Sequence, residues 1–437
     1  MLFRKKKKAE TVETKKQDQS YWAYVKRQFS KNKRALYSLY VVFFLAFIAL
    51  FADFIANEKP ILCKYDGSWR APVIKEYMVG LGLSKWPKEF QNVDWKTLEF
   101  EKAVWPLVPY LPHNHDYNSN YVGPFDKQNV KSLRWRHWLG TDDIGRDLLS
   151  GMIHGTRIAF MVGIVAMSIA FFIGMFFGSM AGFFGDNQLK MSIARVILNI
   201  IFFFFALFYG FTSRSYQMSD AFENGFGAFV GVFVVGLLIF IVIMAIPNLI
   251  APVFDKVPVL GRKVNIPVDI LVTRLIEVLN SIPTLVLILA VVAITKPSIF
   301  NVMAVIGLVR WTGIARFIRA ELLRVRNLEY IEAATALGFS RIRSMLKHAV
   351  PNALSPVFIA VAFGIAAAIL IESFLSFLGI GVPPETITWG KLLAIARTAP
   401  AAWWMAVFPG FAIFITVTLF NLIGEGLTDA LDPRLKQ

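Results

Sequence analysis

Long apolar runs separated by short polar stretches recur along the chain between residues 36 and 427. A bilayer core about 30 Å thick is crossed by roughly 20 residues of helix, the only open-ended structure that satisfies its own backbone hydrogen bonds in lipid. About eight runs reach that length, at residues 36–56, 158–184, 193–211, 227–249, 270–294, 299–320, 353–380 and 404–427. The third carries Phe202-Phe203-Phe204-Phe205 and is short enough to be read also as a re-entrant or interfacial segment. The expected fold class is an all-α polytopic membrane protein.

Charge gives the runs a direction. A basic arm over residues 1–35 places Arg4, Lys5, Lys6, Lys7, Lys8, Lys15, Lys16, Lys26, Arg27, Lys31, Lys33 and Arg34 directly before the first run. We read it as a solvated anchor that faces anionic lipid and holds this end in the cytoplasm. It does not read as a cleavable signal or a nucleic-acid site. Alternation then puts residues 57–156 outside and returns the basic stretch 319–347 to the cytoplasm. The outer segment carries Trp69, Trp86, Trp95, Trp105, Trp135 and Trp138 with Pro87, Pro106, Pro109 and Pro112, and is expected to be a small ordered elaboration. Tryptophans next to a span belong at headgroup level.

Composition agrees with this picture. Of 437 residues 56% are hydrophobic and only 17% charged, mean hydropathy is +0.54, and the net charge is +16. That excludes an ordinary soluble domain. The single cysteine, Cys63, excludes an internal disulfide or a multi-thiolate zinc site. No stretch has the spacing of a phosphate-binding loop, so nucleotide chemistry belongs elsewhere. His113-Asn114-His115-Asp116 invites a metal reading, but close histidines in a Pro-rich loop are more often surface residues, and we assign no metal. No catalytic set is assigned either, because none of the five histidines joins a nucleophile or acid pair within the runs.

The basic stretch has its own pattern. Residues 328–337 are helix-forming, with small Ala333 and Ala334 allowing close approach. Gly338 can end that helix in the left-handed conformation, Ser340 can cap a second, and Pro351 is expected to close it. Such a hairpin fits equally a solvated linker and a helix seated in a partner's groove.

Here the residues resemble a family. Glu332-Ala333-Ala334, then Gly338 and Pro351, resemble the EAA loop of the membrane subunits of ATP-binding-cassette importers, in which it is the coupling helix held by the ATPase. His348 stands where the peptide branch commonly has histidine. Further blocks resemble the peptide and nickel permeases, in the same order. They are His137-Trp138-Leu139-Gly140-Thr141-Asp142 through Arg146-Asp147 with Gly155-Thr156-Arg157; Val268-Asp269, Arg274, Glu277, Ser281 and Pro283 with Trp311, Gly313, Arg316 and Arg319; and Glu372-Ser373-Phe374 through Trp389-Gly390, Phe408-Pro409-Gly410 and Asp432-Pro433-Arg434. The likeness covers most of residues 137–186 and 268–437, and is to the second permease of a dipeptide or oligopeptide system.

The resemblance implies a type I importer permease (MetI-like) core at 157–186 and 268–427, with the coupling loop at 324–351 and a cytoplasmic tail at 428–437. The extra N-terminal span at 36–56, the long outer segment at 57–156 and a two-span insertion at 187–267 depart from the usual pattern. An even number of inserted spans leaves the downstream orientation unchanged.

The implied coupling residues are Tyr330, Glu332, Ala333, Ala334, Gly338, His348 and Pro351. Implied partners are a homologous permease, two ATP-binding subunits that hold ATP and Mg, an extracytoplasmic solute-binding protein and a peptide substrate, in a bacterial inner membrane. No cofactor is expected in this chain. Nickel or another small solute is the alternative cargo, and a stand-alone secondary transporter or channel the alternative class.

Ionisable groups within apolar runs must face protein or water. Arg274, Glu277 and Glu372 are the candidate pathway residues, Glu372 being readable also as a brace between helices. Arg310, Arg316 and Arg319 are expected to snorkel or to anchor the coupling loop. Pro283 and Pro409 are expected to kink their helices.

Overall fold

The computed structural model describes residues 21–431 apart from 81, 92, 118, 131 and 224–225. The basic residues before Tyr21 and the tail beyond Leu431 lie outside the described residues. Among the described residues, 7 helices are long and apolar enough to cross a membrane, or 8 if one broken pair counts as a single span.

The chain divides into two compact units. The first comprises Met1–Gly174, Ile282–Phe317 and Asn352–Gln437. It opens with α1 (Tyr21–Lys31) and α2 (Lys33–Leu50), where Asn32 between them accepts the Ala35 amide at 3.2 Å. A short α3 (Ala52–Ile55) leads into strands β1 (Leu62–Tyr65) and β2 (Ser68–Arg70), helix α4 (Pro72–Gly80) and strand β3 (Lys102–Val104). The strands form an antiparallel sheet in the order β2-β1-β3, with Cys63 opposite both Arg70 and Ala103.

Beside the sheet, Phe90 stacks on Trp95 with ring centroids 5.1 Å apart, and the Arg70 guanidinium lies 4.7 Å from the Phe90 centroid. Trp105 meets Trp135 edge-on at 5.3 Å. Aromatic packing, more than regular secondary structure, orders this segment.

Helix α5 (Leu148–Ser179) starts ten residues ahead of the apolar run that forecast it. Asp147 explains the early start, because its carboxylate accepts the Ser150 amide at 2.7 Å and caps the helix. The preceding motif is a tight knot. Asp142 accepts the Ile144 and Arg146 amides at 3.1 and 2.8 Å and Arg146 Nε at 2.5 Å, and Trp404 Nε1 donates to the Thr141 carbonyl at 3.1 Å.

The second unit comprises Met175–Ser281 and Ile318–Pro351. After a wide turn at Met180–Phe184 come β4 (Lys190–Ser192), α6 (Ile193–Gly210), α7 (Ser215–Glu223), α8 (Phe226–Phe254) and β5 (Lys263–Asn265). β4 and β5 pair antiparallel, so the two ends of the insertion are clasped together. The phenylalanine-rich run that could have been re-entrant is a continuous helix, α6, packed on α8, where Phe203 meets Phe240 at 6.0 Å.

One expected span is broken. The run at 270–294 forms α9 (Val268–Asn280) and α10 (Thr284–Ile294) instead of one kinked helix. Pro283 has no amide to donate, keeps Ile282 out of helical conformation, and is itself extended at φ −54° and ψ 121°. Pro409, by contrast, lies inside the unbroken final helix.

The chain continues as α11 (Ile299–Val325), α12 (Glu329–Ala336), α13 (Arg341–Ser344), α14 (Val350–Asn352), α15 (Ser355–Phe377), α16 (Trp389–Ala396) and α17 (Trp404–Leu431). In the first unit α15, α16 and α17 pack around Ala366, Ile369, Trp389 and Phe420, joined by Phe160 of α5 and Val42 of α2. A second cluster centres on Val292, Met303, Ile306 and Leu375.

Candidate functional site

The hairpin is built from short-range chemistry. Glu329 and Glu332 sit in the first turn of α12, where carboxylates complement the helix dipole. Gly338 takes φ +81°. The Phe339 amide donates back to the Ala334 carbonyl at 3.1 Å and the Gly338 amide to Thr335 at 3.0 Å, which satisfies the carbonyls at the helix end. Ser340 then accepts the Arg343 amide at 3.3 Å and caps α13.

Two expectations need correction. Ala333 and Ala334 do not act together, since Ala334 is buried with Ile331 while Ala333 faces out. Consecutive helical residues point about 100° apart, and here that step carries Ala334 into the unit and leaves Ala333 outside. Pro351 does not end the second helix either. Met345–Ala349 is a wide π turn in which the Val350 amide reaches Met345, and the helix runs on through Pro351 to Asn352. The register has already widened before the residue that lacks an amide.

Glu332 and Gly338 are exposed, and His348 is half-buried with its ring stacked on Phe339 at 6.0 Å. The Arg343 guanidinium lies 4.7 Å from the centroid of that same Phe339 ring. Four large apolar or aromatic side chains stand out of the hairpin: Tyr330 at 41% exposure, Leu337 at 76%, Ile342 at 60% and Leu346 at 59%.

The hairpin is tied to its own unit by three arginines, of which only Arg319 was expected to anchor it. Arg319 forks onto Asp269, with Nη2 donating to Oδ2 at 2.8 Å and Nε to Oδ1. Arg326 Nη1 donates to the Gly182 carbonyl at 3.3 Å and Arg341 Nη1 to the Gln188 carbonyl at 2.9 Å. The Ile270 amide donates to Asp186 at 3.0 Å. The available signal was that Val268-Asp269 and Arg319 recur in one motif block; the pairing itself spans 50 positions.

Arg274 and Glu277 form an exposed ion pair at 2.6 Å on α9, one turn apart and satisfied by each other. Glu372 belongs to the first unit and is buried, at 1% exposure. It accepts the Ser376 hydroxyl at 2.6 Å, the Ser373 hydroxyl at 3.4 Å and the Thr388 hydroxyl. Thr388 also caps α16 by accepting the Lys391 amide at 3.2 Å. Gly390 follows because a Cβ there would stand 2.2 Å from the Ser373 carbonyl oxygen. The carboxyl therefore bridges α15 to the start of α16, the geometry of a brace.

Among the described residues no group of three or more His, Cys, Asp or Glu side chains converges on a metal position. His115 instead stacks on Tyr117 at 5.7 Å, and burial holds His113 below the ordinary imidazole value.

These features define a class, the helical multi-pass membrane protein with a basic hairpin between two of its long helices. Residues 259–437 match the family of binding-protein-dependent transport system inner membrane components, and residues 20–68 match the N-terminal TM domain of oligopeptide transport permease C. Over those residues the chain resembles the binding-protein-dependent transport permeases.

It is 26% identical over 433 residues to the peptidoglycan transport system permease protein YejE of Agrobacterium fabrum, spanning 93% of this chain and 92% of the relative. It is 26% identical to the dipeptide transport system permease protein DppC of Bacillus subtilis, spanning 69% of this chain and 70% of the relative. A putative peptide transport system permease of Brucella suis is 40% identical over 169 residues, 38% of this chain and 57% of the relative.

Proposed function

We propose that the chain forms part of the translocation pathway of an ATP-driven peptide importer in a bacterial inner membrane, with its N-terminus in the cytoplasm. Peptide is the cargo because the permeases it resembles carry dipeptide, oligopeptide or peptidoglycan systems in their names. A homologous permease completes the pathway, two ATPase subunits hold ATP and Mg, and an external solute-binding protein delivers the peptide.

The observation that carries the coupling role is the hairpin's exposed Tyr330, Leu337, Ile342 and Leu346 around a rigid αL turn at Gly338. Apolar side chains outside the bilayer call for a protein groove. Closure of the ATPase pair pushes α12; Arg319, Arg326 and Arg341 carry that push to α9 and to the turns at Gly182 and Gln188, which move as one body. Tyr330, Glu332 and Ala333 make the outer contact, Ala334 and His348 hold the hairpin's shape, and Pro351 marks its exit. Arg274 and Glu277 face water or the companion permease, since an ion pair turned to lipid is costly. Glu372 keeps α16 against α15 and carries no charge movement.

The test is reconstitution with the companion permease, ATPases and binding protein in proteoliposomes. ATP-dependent uptake of labelled peptide that is lost in Glu332→Arg, with the complex still inserted, supports the reading. Equal uptake in that variant, or uptake without ATPase subunits, refutes it.

A further inference from the structure

Within the second unit, the clasp of β4 and β5 stands at the end of two apolar helices. α6 begins at Ile193, directly after β4, and α8 ends at Phe254, shortly before β5. The Ile193 amide donates to the Arg262 carbonyl at 3.1 Å and the Ala194 amide to the Leu260 carbonyl at 3.0 Å, which fixes the turn after α8 against the first residues of α6. Both helices are long and apolar enough to cross a membrane. The clasp and its turn therefore lie at headgroup level.

Four exposed cations gather there: Lys190, Lys256, Arg262 and Lys263. Lys190 stands opposite Asn265 and Lys263 opposite Ser192, so the two lysines share one face of the ribbon as diagonal neighbours, with Cβ atoms about 7 Å apart. Among the described residues, the ion pairs of this unit include none of the four. The nearby acids are engaged elsewhere, since Asp186 accepts the Ile270 amide at 3.0 Å and Asp255 Oδ2 faces Arg195 Nη2 at 3.9 Å. What reaches this loop from the hairpin is another cation, Arg341, whose Nη1 donates to the Gln188 carbonyl at 2.9 Å.

The same turn also exposes apolar side chains. Val253 and Phe254 end α8, and Val257 and Val259 stand beyond it, all four open to the surroundings. A soluble anion would use the cations and leave the valines in water. A lipid uses both, its phosphate on the ammoniums and its chains on the valines.

We propose that the clasp binds an anionic phospholipid of the phosphatidylglycerol class, with the phosphate between Lys190 and Lys263, Arg262 and Lys256 at the rim, and acyl chains over Val257 and Val259. The site requires only that α6 and α8 lie in a bilayer. It needs neither ATPase nor peptide, so its failure and the failure of the transport reading are separate results.

The test titrates the full chain in nonionic detergent with phosphatidylglycerol or phosphatidylcholine and counts bound lipids by native mass spectrometry. One site is expected to prefer phosphatidylglycerol by about tenfold, and to lose that preference when Lys190→Gln and Lys263→Gln are combined. In phosphatidylcholine nanodiscs the double variant should unfold no earlier than the natural chain, because it removes a repulsion and no partner. Val257→Asp should also weaken phosphatidylglycerol binding, whereas Lys127→Gln, at an exposed position of the outer segment, should leave it unchanged. An undiminished preference in the double variant overturns the proposal, as does an equal loss in Lys127→Gln. Displacement of the lipid by inorganic phosphate would make the clasp a free-anion site and overturn it. Earlier unfolding of the double variant in phosphatidylcholine alone would make the lysines part of the clasp's own structure, which overturns it as well.

Discussion

Replacing Gly338 isolates the backbone contribution of the hairpin from every other contact. At φ +81° a non-glycine residue bears strain, yet a Cβ built there meets nothing within 4 Å, so no clash adds to it. The cost of the left-handed conformation is about 1–2 kcal/mol, which shifts the hairpin's population by a factor of roughly 5–30. Asparagine tolerates this conformation far better than a β-branched residue.

The expected order of lost ATP-driven uptake in proteoliposomes is therefore Gly338→Val greatest, Gly338→Ala intermediate and Gly338→Asn least. Gly338→Asp adds a charge to the exposed turn and should uncouple more than asparagine. Hydrogen exchange at Phe339, whose amide closes the turn, should rise in the same order. Equal defects in the asparagine and valine variants would refute the backbone argument, and unchanged uptake in all of them would remove the hairpin from the coupling path.

Glu372→Leu should lower the unfolding temperature measurably, since it strands three hydroxyls at about 1 kcal/mol or more each, whereas Glu372→Gln should retain uptake; loss of uptake in the glutamine variant at unchanged stability would assign Glu372 to the pathway instead. Arg319→Ala and Asp269→Asn, combined in a double-mutant cycle on thermal stability, should show a coupling of about 1 kcal/mol, because the pair is forked but partly open to solvent; additive effects would mean the two do not hold α11 to α9. Glu101 accepts from Lys64 Nζ and from the Gly67 amide, and these bonds hold its carboxyl below the ordinary value. Its support for the β1–β2 turn is present at neutral pH and is lost as pH falls through that depressed value, below the range in which a free glutamate titrates. Proton exchange at Gly67 followed against pH should show the transition in the natural chain and not in Glu101→Gln.

Hydrophobic periodicity and charge were enough to determine that the chain is a bundle of membrane-length helices, because burial in lipid demands local hydrogen bonding and leaves a length signature in any run. The helix-ending Gly338 and the cap at Ser340 were legible for the same reason: their partners lie within a few residues. Tertiary structure decided what depended on distant pairs. It paired Arg319 with Asp269, enclosed Glu372 in the hydroxyls of Ser373, Ser376 and Thr388, and turned Ala334 inward and Ala333 outward. It also ended α9 before Pro283 yet carried a helix through Pro351. The same residue type stands just beyond the end of one helix and lies within another, where a widened π turn precedes it. Composition records how much apolar surface a segment has to bury, whereas the partner that buries it is chosen by three-dimensional packing across positions that no local pattern links.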